Sequence, residues 1–565
     1  MLAVLLAAVA APALAQTTVP SAADPTRVEP VLPNPAETFD QLRKDNQLVA
    51  PTTEFTPAPE GAEAVHFTLQ SLTVQGMHAY TDKTIRPLYK GKLGRDITVA
   101  DLYAIAARLQ QKYFADGYTL TKIIVPPEPV RDGHAQLIAI EGHITQVELD
   151  PTLPDSDALR DAVAQIRTMR PLNTLVLERL LLVLNDLPDT NVSAILATLK
   201  NPTPEENQPG SVRLIIKKNQ STDPRGRVAV NNYGSQFAGP WQALANAHVY
   251  DIGMDHSDLS LTVSSTDPYR EQHYANVNYT APLFGASGAK LAVGAVWAQT
   301  EPGDNLEALE IEGNTANFTV NLSYPVIRQR TGTLTADVTF AAKNTETDLL
   351  SSELYDDRTR SVRAGGNYNF SDAWEGFNAL DFHATQGFDI LGASKEYSSL
   401  SRADGQPDFT KFEFFAGRVQ SLPMGFEFYA LVSGQYALNP LLSGEEFGFG
   451  GDQTGRGYDP SEITGDHGIS GTLELRYTAE FQPWEQQLVT QPYAFYDAGK
   501  VWNIDSGARD HVSATSAGGG VRFNVNDQWN SNIFAAVPLT KRANNPPDYA
   551  NATGARFLIS ISRDF

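Results

Sequence analysis

The chain has 565 residues, 42% of them apolar, with a net charge of −23 and no cysteine. That length accommodates several domains, and the acidity excludes a nucleic-acid binder that needs a basic footprint. The missing cysteines exclude disulfides, thiolate metal sites and cysteine nucleophiles, and they suit an oxidising compartment.

Residues 1–15, MLAVLLAAVAAPALA, read as a secretory signal: a short apolar run ending in Ala13-Leu14-Ala15, followed by Gln16. The run falls short of the ~20 residues that a membrane-crossing helix needs. The basic stretch that usually precedes such a run is missing, so an earlier start is expected. No later stretch is long and apolar enough to cross as a helix; LERLLLVLNDL, 177–187, comes nearest and carries charges. Residues 16–63 are rich in Pro, Thr and Ala. Within them, 34–48 (NPAETFDQLRKDNQL) is helical in pattern, with Phe39, Leu42 and Leu48 on a loose face. Pro51, Pro57 and Pro59 then mark 49–63 as an extended linker.

Residues 64–219 have a mixed α/β texture. FTLQSLTV, 67–74, alternates as a strand. Thr98 opens a helix with Asp101 three residues on, as in a capping box. Leu102, Ile105, Ala106, Leu109 and Tyr113 share one face of it, and Gly117 closes it. Strands are predicted over 119–125 and 135–142. The order then repeats: a strand at TQVELD, helices at DALRDAVAQI and TLVLERLLLVLNDL, and strands at NVSAILATL and SVRLIIKK. Two β-α-α-β-β modules, 64–143 and 144–219, describe the region.

From 225 to 565 only strands are predicted. NFTVNLSY, 317–324, sets Phe318, Val320, Leu322 and Tyr324 against Asn317, Thr319, Asn321 and Ser323. ISGTLELRYTAEF, 469–481, sets Ile469, Leu473, Leu475, Tyr477 and Phe481 against Ser470, Thr472, Glu474, Arg476, Thr478 and Glu480. The strands are long enough to cross a bilayer at a tilt, where ~9–11 residues are needed, and their polar face suits a wet lumen. Short turns such as GASG, 285–288, and LPMG, 422–425, alternate with long polar ones such as KEYSSLSRADGQPD, 395–408. In lipid only a closed barrel satisfies every backbone group, and sixteen antiparallel strands are expected when FGFGG, 447–451, is taken as the base of a loop. The expected fold is mixed: two small α+β domains followed by a 16-stranded antiparallel transmembrane β-barrel.

The loop GFGGDQTGRGYDPSE, 448–462, surrounds Arg456 and Tyr458 with glycines. Glycine lets a backbone pack closely against a wall, so the loop is expected to fold into the lumen, with Tyr458 against the wall. A desolvated Arg456 then needs a carboxylate. Asp497, in AFYDAGKVW, is the obvious partner type, with Glu474 and Glu480 as competitors. Phe495 shares the strand face of Asp497.

GRGY, 455–458, with FYDAG, 495–499, resembles the paired motifs of two-partner secretion transporters of the haemolysin-activator and filamentous-haemagglutinin-transporter type, within the POTRA-plus-barrel superfamily. In that family the loop usually reads Val-Arg-Gly-Tyr, and its Arg packs against the Asp of a Phe-x-Asp-x-Gly strand. Arg456, Gly457 and Tyr458 match the first motif, and Phe495, Asp497 and Gly499 the second; Gly455 departs from the usual Val. Residues 116–144 are similar to the closing signature of a first POTRA domain. The resemblance covers nearly the whole chain. It implies a signal peptide, a plug helix at 34–48, POTRA domains at 64–143 and 144–219, and a barrel at 225–565. It also implies that Phe565 is the terminal aromatic recognised during barrel assembly.

The function so implied is export: periplasmic POTRA domains bind an unfolded exoprotein bearing an N-terminal secretion domain, and the barrel passes it through the outer membrane of a Gram-negative bacterium. No G-x-x-x-x-G-K-[ST] motif is visible, and the resemblance implies that energy comes from folding of the client outside. The partners implied are that exoprotein, the barrel-assembly machinery and periplasmic chaperones during biogenesis, and outer-membrane lipid, with no nucleic acid. An insertase of barrel proteins or lipid, from the same superfamily, is the alternative, and a plain porin or adhesin scaffold a third reading. No cofactor, metal or catalytic residue is expected: the ten histidines form no H-E-x-x-H motif, and GASG is a turn signal rather than a nucleophile elbow.

Overall fold

The computed structural model describes Asp24, Arg27 and residues 56–128, 130–219, 225–395, 399–483, 486–504, 511–540 and 554–565. The signal segment 1–15, the helical segment 34–48 and the first part of the linker, 49–55, lie outside these residues. The described end of the linker turns rather than extends: the Ala62 and Ala64 amides donate to the Pro59 and Gly61 carbonyls, and buried Ala62 accepts from the Ala100 amide.

The first module contains β1 (His66–Thr68), β2 (Ser71–Gln75), α1 (Asp82–Ile85), β3 (Asp96–Thr98), α2 (Val99–Ala115), β4 (Lys122–Ile124) and β5 (His134–Ile140). Its sheet runs β2-β5-β4, with β2 parallel to β5, and β1 pairs separately with β3. The single strand expected over 67–74 is therefore two strands in two sheets. The chain breaks at Leu69 and Gln70, whose amides turn to the Arg95 and Gly133 carbonyls while the Leu69 side chain is wholly buried. The predicted cap of α2 forms in both directions: the Thr98 hydroxyl accepts from the Asp101 amide, and the Asp101 carboxylate from the Thr98 amide, each at 3.1 Å. The apolar face read from the sequence is the buried face of this helix. Glu141 closes the module. It accepts from Tyr113 Oη at 2.7 Å and from the His78 and Ala79 amides at 2.8 and 2.9 Å. Burial opposes its charge, but these donors outweigh it and hold the carboxyl below its ordinary range.

The second module contains β6 (His143–Leu149), α3 (Asp157–Thr168), α4 (Thr174–Asn185), β7 (Val192–Ala197) and β8 (Ser211–Lys218). Its sheet order, β6-β8-β7, repeats that of the first, again with first and last strands parallel. Ser156 caps α3 and Asn173 caps α4.

The remaining strands close on themselves. They are β9 (Gly226–Asn231), β10 (Trp241–Tyr250), β11 (Asp258–Asp267), β12 (Gln272–Leu283), β13 (Ala289–Thr300) and β14 (Glu312–Gln329). Next come β15 (Gly332–Leu349), β16 (Ser352–Ser371), β17 (Gly376–Gly387), β18 (Thr410–Ser421) and β19 (Phe426–Ala437). After a short pair, β20 (Phe447–Phe449) and β21 (Ile463–Gly465), follow β22 (His467–Tyr477), β23 (Ala479–Phe481), β24 (Leu488–Trp502), β25 (Val512–Val525), β26 (Trp529–Pro538) and β27 (Arg556–Asp564). With β22 and β23 counted as one strand interrupted at Thr478, sixteen antiparallel strands form a closed barrel, sealed by β27 on β9. Phe565 lies just past β27. Its backbone pairs with Gly226 while its ring is 62% exposed.

The barrel is inside out relative to a soluble protein. Ile469, Leu473, Leu475 and Tyr477 are exposed on β22, and the alternate residues Ser470, Thr472, Glu474 and Arg476 are buried. On β14, Phe318, Leu322 and Tyr324 likewise face outward. A polar lumen inside an apolar wall is the pattern lipid demands. The second module meets the barrel on the side of the short turns, where α4 and its end lie against the start of β13 and the end of β14.

Candidate functional site

The connection from β19 to β22 carries the inward loop. At its foot β20 pairs with β21, from Phe447↔Gly465 to Phe449↔Ile463, outside the barrel sheet. The tip then folds against the lumen wall, where Arg456 and Tyr458 are each 2% exposed. Gly457 makes this approach possible: a Cβ there would come within 2.9 Å of Pro538 N and of Ser516 Cβ on the wall. Gly455, where the resembling motif has Val, has φ +80°, and the Phe449 ring fills the space where its side chain would stand. The departure therefore has its own packing partner.

Register brings the wall residues together. Thr472 on β22, Asp497 on β24 and Ser516 on β25 form one row across the sheet; Glu474, Phe495 and Gly518 form the next. Arg456 spans both rows. Its Nη2 donates to Asp497 Oδ1 at 2.7 Å, and its Nε and backbone amide donate to Oδ2 at 3.2 and 2.9 Å. Nη1 donates to Glu474 Oε2 at 2.9 Å, and Nη2 also to Thr472 Oγ1 at 2.7 Å. The Ser516 hydroxyl completes the shell of Asp497 at 3.0 Å. Asp497 and Glu474 are thus joint partners rather than competitors. Glu480 lies exposed on β23, away from the cluster.

Two further arginines belong to the site. Arg476 Nε and Arg522 Nη1 both donate to Glu474 Oε1, at 2.6 and 2.7 Å. Three cations thus face two carboxylates, and each cation also stacks on a ring: Arg456 at 3.4 Å from the centroid of Phe495, Arg522 at 3.9 Å from Tyr493, and Arg476 at 4.3 Å from Tyr429. Ring faces are electron-rich and help to balance the excess positive charge. Gly518 leaves room for the Phe495 ring. Arg476 and Thr472 were legible in principle, two residues either side of Glu474 on one strand face. Arg522, Tyr493 and Tyr429 depend on inter-strand register and rotamer, for which the sequence carries no local signal.

Tyr458 anchors the far side of the loop. Its hydroxyl lies 2.9 and 3.0 Å from the Thr515 and Thr540 carbonyls, its own carbonyl accepts from Arg556, and Arg556 pairs with Asp459 at 3.1 Å. This geometry holds the loop against the wall of a polar lumen by charge and hydrogen bonding.

A closed 16-stranded barrel with a loop pinned inside it, preceded by two α/β modules of which the second meets the barrel's short turns, is the fold of the POTRA-plus-barrel class. The chain belongs to the haemolysin secretion/activation protein family ShlB/FhaC/HecB, which it matches over residues 210–523; residues 67–142 match the ShlB-type POTRA domain. It is 23% identical over 509 residues to the heme/hemopexin transporter protein HuxB of Haemophilus influenzae, covering 88% of this chain and 86% of that protein. It is 20% identical over 541 residues to the outer membrane transporter CdiB of Dickeya dadantii, covering 91% of each. The solved structure of CdiB from Escherichia coli superimposes with a TM-score of 0.77 at 16% identity, covering 94% of this chain and 97% of that one, which shows the shared fold. The protein is an outer-membrane translocator of two-partner secretion that exports a secreted partner, with its POTRA domains in the periplasm.

Proposed function

We propose that the second POTRA domain receives an unfolded segment of the exported partner and delivers it to a lumen gated by the Arg456 loop. The observation that carries this reading is the triple anchorage of Arg456 on Asp497, Glu474 and Thr472, which holds the loop tip in the route of a client. Arg456, Gly457 and Tyr458 act with Phe495, Asp497 and Gly499 as a releasable brace. Strand β7 suits capture of an extended chain: it is an edge of its sheet, carries no proline or charge, and exposes Ile195 and Leu196. Unprotected edges of this kind accept a further strand through main-chain pairing.

By the family resemblance, residues 34–48, which lie outside the described residues, serve as a plug. Arg27 Nη2 donates to the Ser443 carbonyl at 2.6 Å near the external end of the barrel, while residue 56 begins the approach to the periplasmic domain. Export proceeds without catalytic chemistry or cofactor. Phe565 serves recognition by the barrel-assembly machinery, with periplasmic chaperones escorting the chain beforehand and outer-membrane lipid covering the finished wall.

Co-expression with the secreted partner tests this reading. The partner should appear in the medium with the intact transporter and remain in the periplasm without it. A partner that reaches the medium equally in both cases would refute it.

A further inference from the structure

One turn of the barrel is part of the hydrophobic core of the second POTRA domain. The turn is Gly285-Ala286-Ser287-Gly288, between β12 and β13. Ala286 is 3% exposed and belongs to the same buried cluster as Ala158, Ala162, Leu180 and Leu184 of α3 and α4. Its amide donates to Asp161 Oδ2 at 2.9 Å. Gly285 has φ +61°, and a Cβ on it would come within 2.6 Å of that carboxylate. The glycine thus lets the turn enter the gap between the helices.

Charge closes around this knob. Arg328, at the end of β14, grips Asp186 with two parallel hydrogen bonds of 2.6 and 2.7 Å, and Lys290 Nζ donates to the Asp186 carbonyl at 2.8 Å. Glu178 accepts from the Arg330 amide at 3.1 Å. Arg179 reaches back to the Pro325 carbonyl at 2.9 Å and to Tyr324 Oη at 3.2 Å. A third turn joins through Thr190 Oγ1 and His256 Nδ1, 3.2 Å apart. Domains held by a small polar contact swing freely. A side chain set into the neighbour's core, beside a bidentate and partly buried ion pair, opposes such movement.

We propose that this dock keeps the second POTRA domain stationary on the barrel throughout export. Ala286, Asp186 and Arg328 are its positioning residues. The client slides past a fixed periplasmic wall, and the opening of the route falls to the inward loop. The proposal rests on the export reading above.

The chain has no cysteine, so Glu178→Cys with Arg330→Cys places one thiol pair across the dock in the full-length transporter while Ala286, Asp186 and Arg328 stay in place. A short cleavable bismaleimide should join them in high yield in outer membranes, a readout that needs no client. The cross-linked transporter should secrete its partner within twofold of, or better than, the untreated double variant. Poor cross-linking, or secretion that stops on cross-linking and returns when the linker is cleaved, would overturn the proposal. Ala286→Arg forces a charge into the POTRA core and should lower secretion at least tenfold; unchanged secretion with normal barrel levels contradicts the dock. Should that barrel fail to assemble, Arg328→Asp should give the same loss and the swap with Asp186→Arg should restore it; failure of the swap overturns the pairing. Absence of secretion by the parent chain would refute the export reading and leave the cross-linking yield to judge the dock alone.

Discussion

Phe449, at the foot of the inward loop, rests its ring on Gly499 of β24: a Cβ built on that glycine would collide with the ring. The same ring fills the space beside Gly455, and Tyr458 lies 6.1 Å from it, centroid to centroid. The two motifs are therefore joined by packing as well as by charge. The strand glycine is a seat for a loop aromatic that belongs to neither motif.

Gly499→Val should lift Phe449 and loosen the loop while the barrel still closes, because position 499 alternates to the lumen side and leaves the lipid face unchanged. The check is limited proteolysis: cuts within 450–462 should rise severalfold, with the heat-modifiable barrel retained on a gel. An unchanged cleavage pattern would rule out the seat.

Glu474→Ala removes the carboxylate shared by Arg456, Arg476 and Arg522. Removing one member of a buried pair typically costs about 3–5 kcal/mol, because the remaining charge is left without compensation. Thr472→Val removes one neutral acceptor and should cost only ~1–3 kcal/mol. Denaturant unfolding of the detergent-solubilised barrel measures both, and equal losses would mean that Glu474 is not the hub.

Phe495→Leu keeps an apolar side chain under Arg456 but removes the ring face 3.4 Å from the guanidinium. A desolvated cation–π contact is worth about 2 kcal/mol. Unfolding should move by roughly that amount, and Asp497→Asn should lower the effect of the substitution if the ring and the carboxylate act on the same cation.

Glu141 gives the first POTRA domain a pH dependence of defined sign. Its folded carboxyl is held below its ordinary value, despite burial, by Tyr113 and the His78 and Ala79 amides. The unfolded chain therefore binds the proton more readily, so the stabilisation is present above the ordinary carboxylate range and is lost as pH falls through it towards the folded value. Wild-type protection of this domain in hydrogen exchange should decline below about pH 4, and Glu141→Gln should be less protected at neutral pH and flatter across that range.

Much of this architecture was legible because the lipid environment simplifies the code. Period-2 alternation in 317–324 and 469–481 names both faces of each strand, and only the bilayer decides which faces out. The cap at Thr98 and the face Leu102–Tyr113 were legible for the local reasons that govern helices. The break at Leu69 and Gln70 was not, since it depends on distant carbonyls at Arg95 and Gly133. Nor was the joint hold of Asp497 and Glu474 on one guanidinium: the motifs name candidates, but register places Thr472 opposite Asp497 and Glu474 opposite Phe495. The turn at 285–288 reads only as a turn, because what it enters belongs to another domain.

The central claim is that Arg456 and Asp497 work as one unit in export. Arg456→Ala, Asp497→Ala and the double variant should be compared for partner secreted into the medium, each normalised to barrel in the outer membrane. The account predicts a severalfold change in secretion for either single variant and, for the double, a change well short of the product of the two, because both single substitutions remove the same Arg456–Asp497 contact while Arg456 keeps Glu474 and Thr472 in Asp497→Ala. Effects that multiply in the double variant, or secretion at wild-type level in all three, would contradict it.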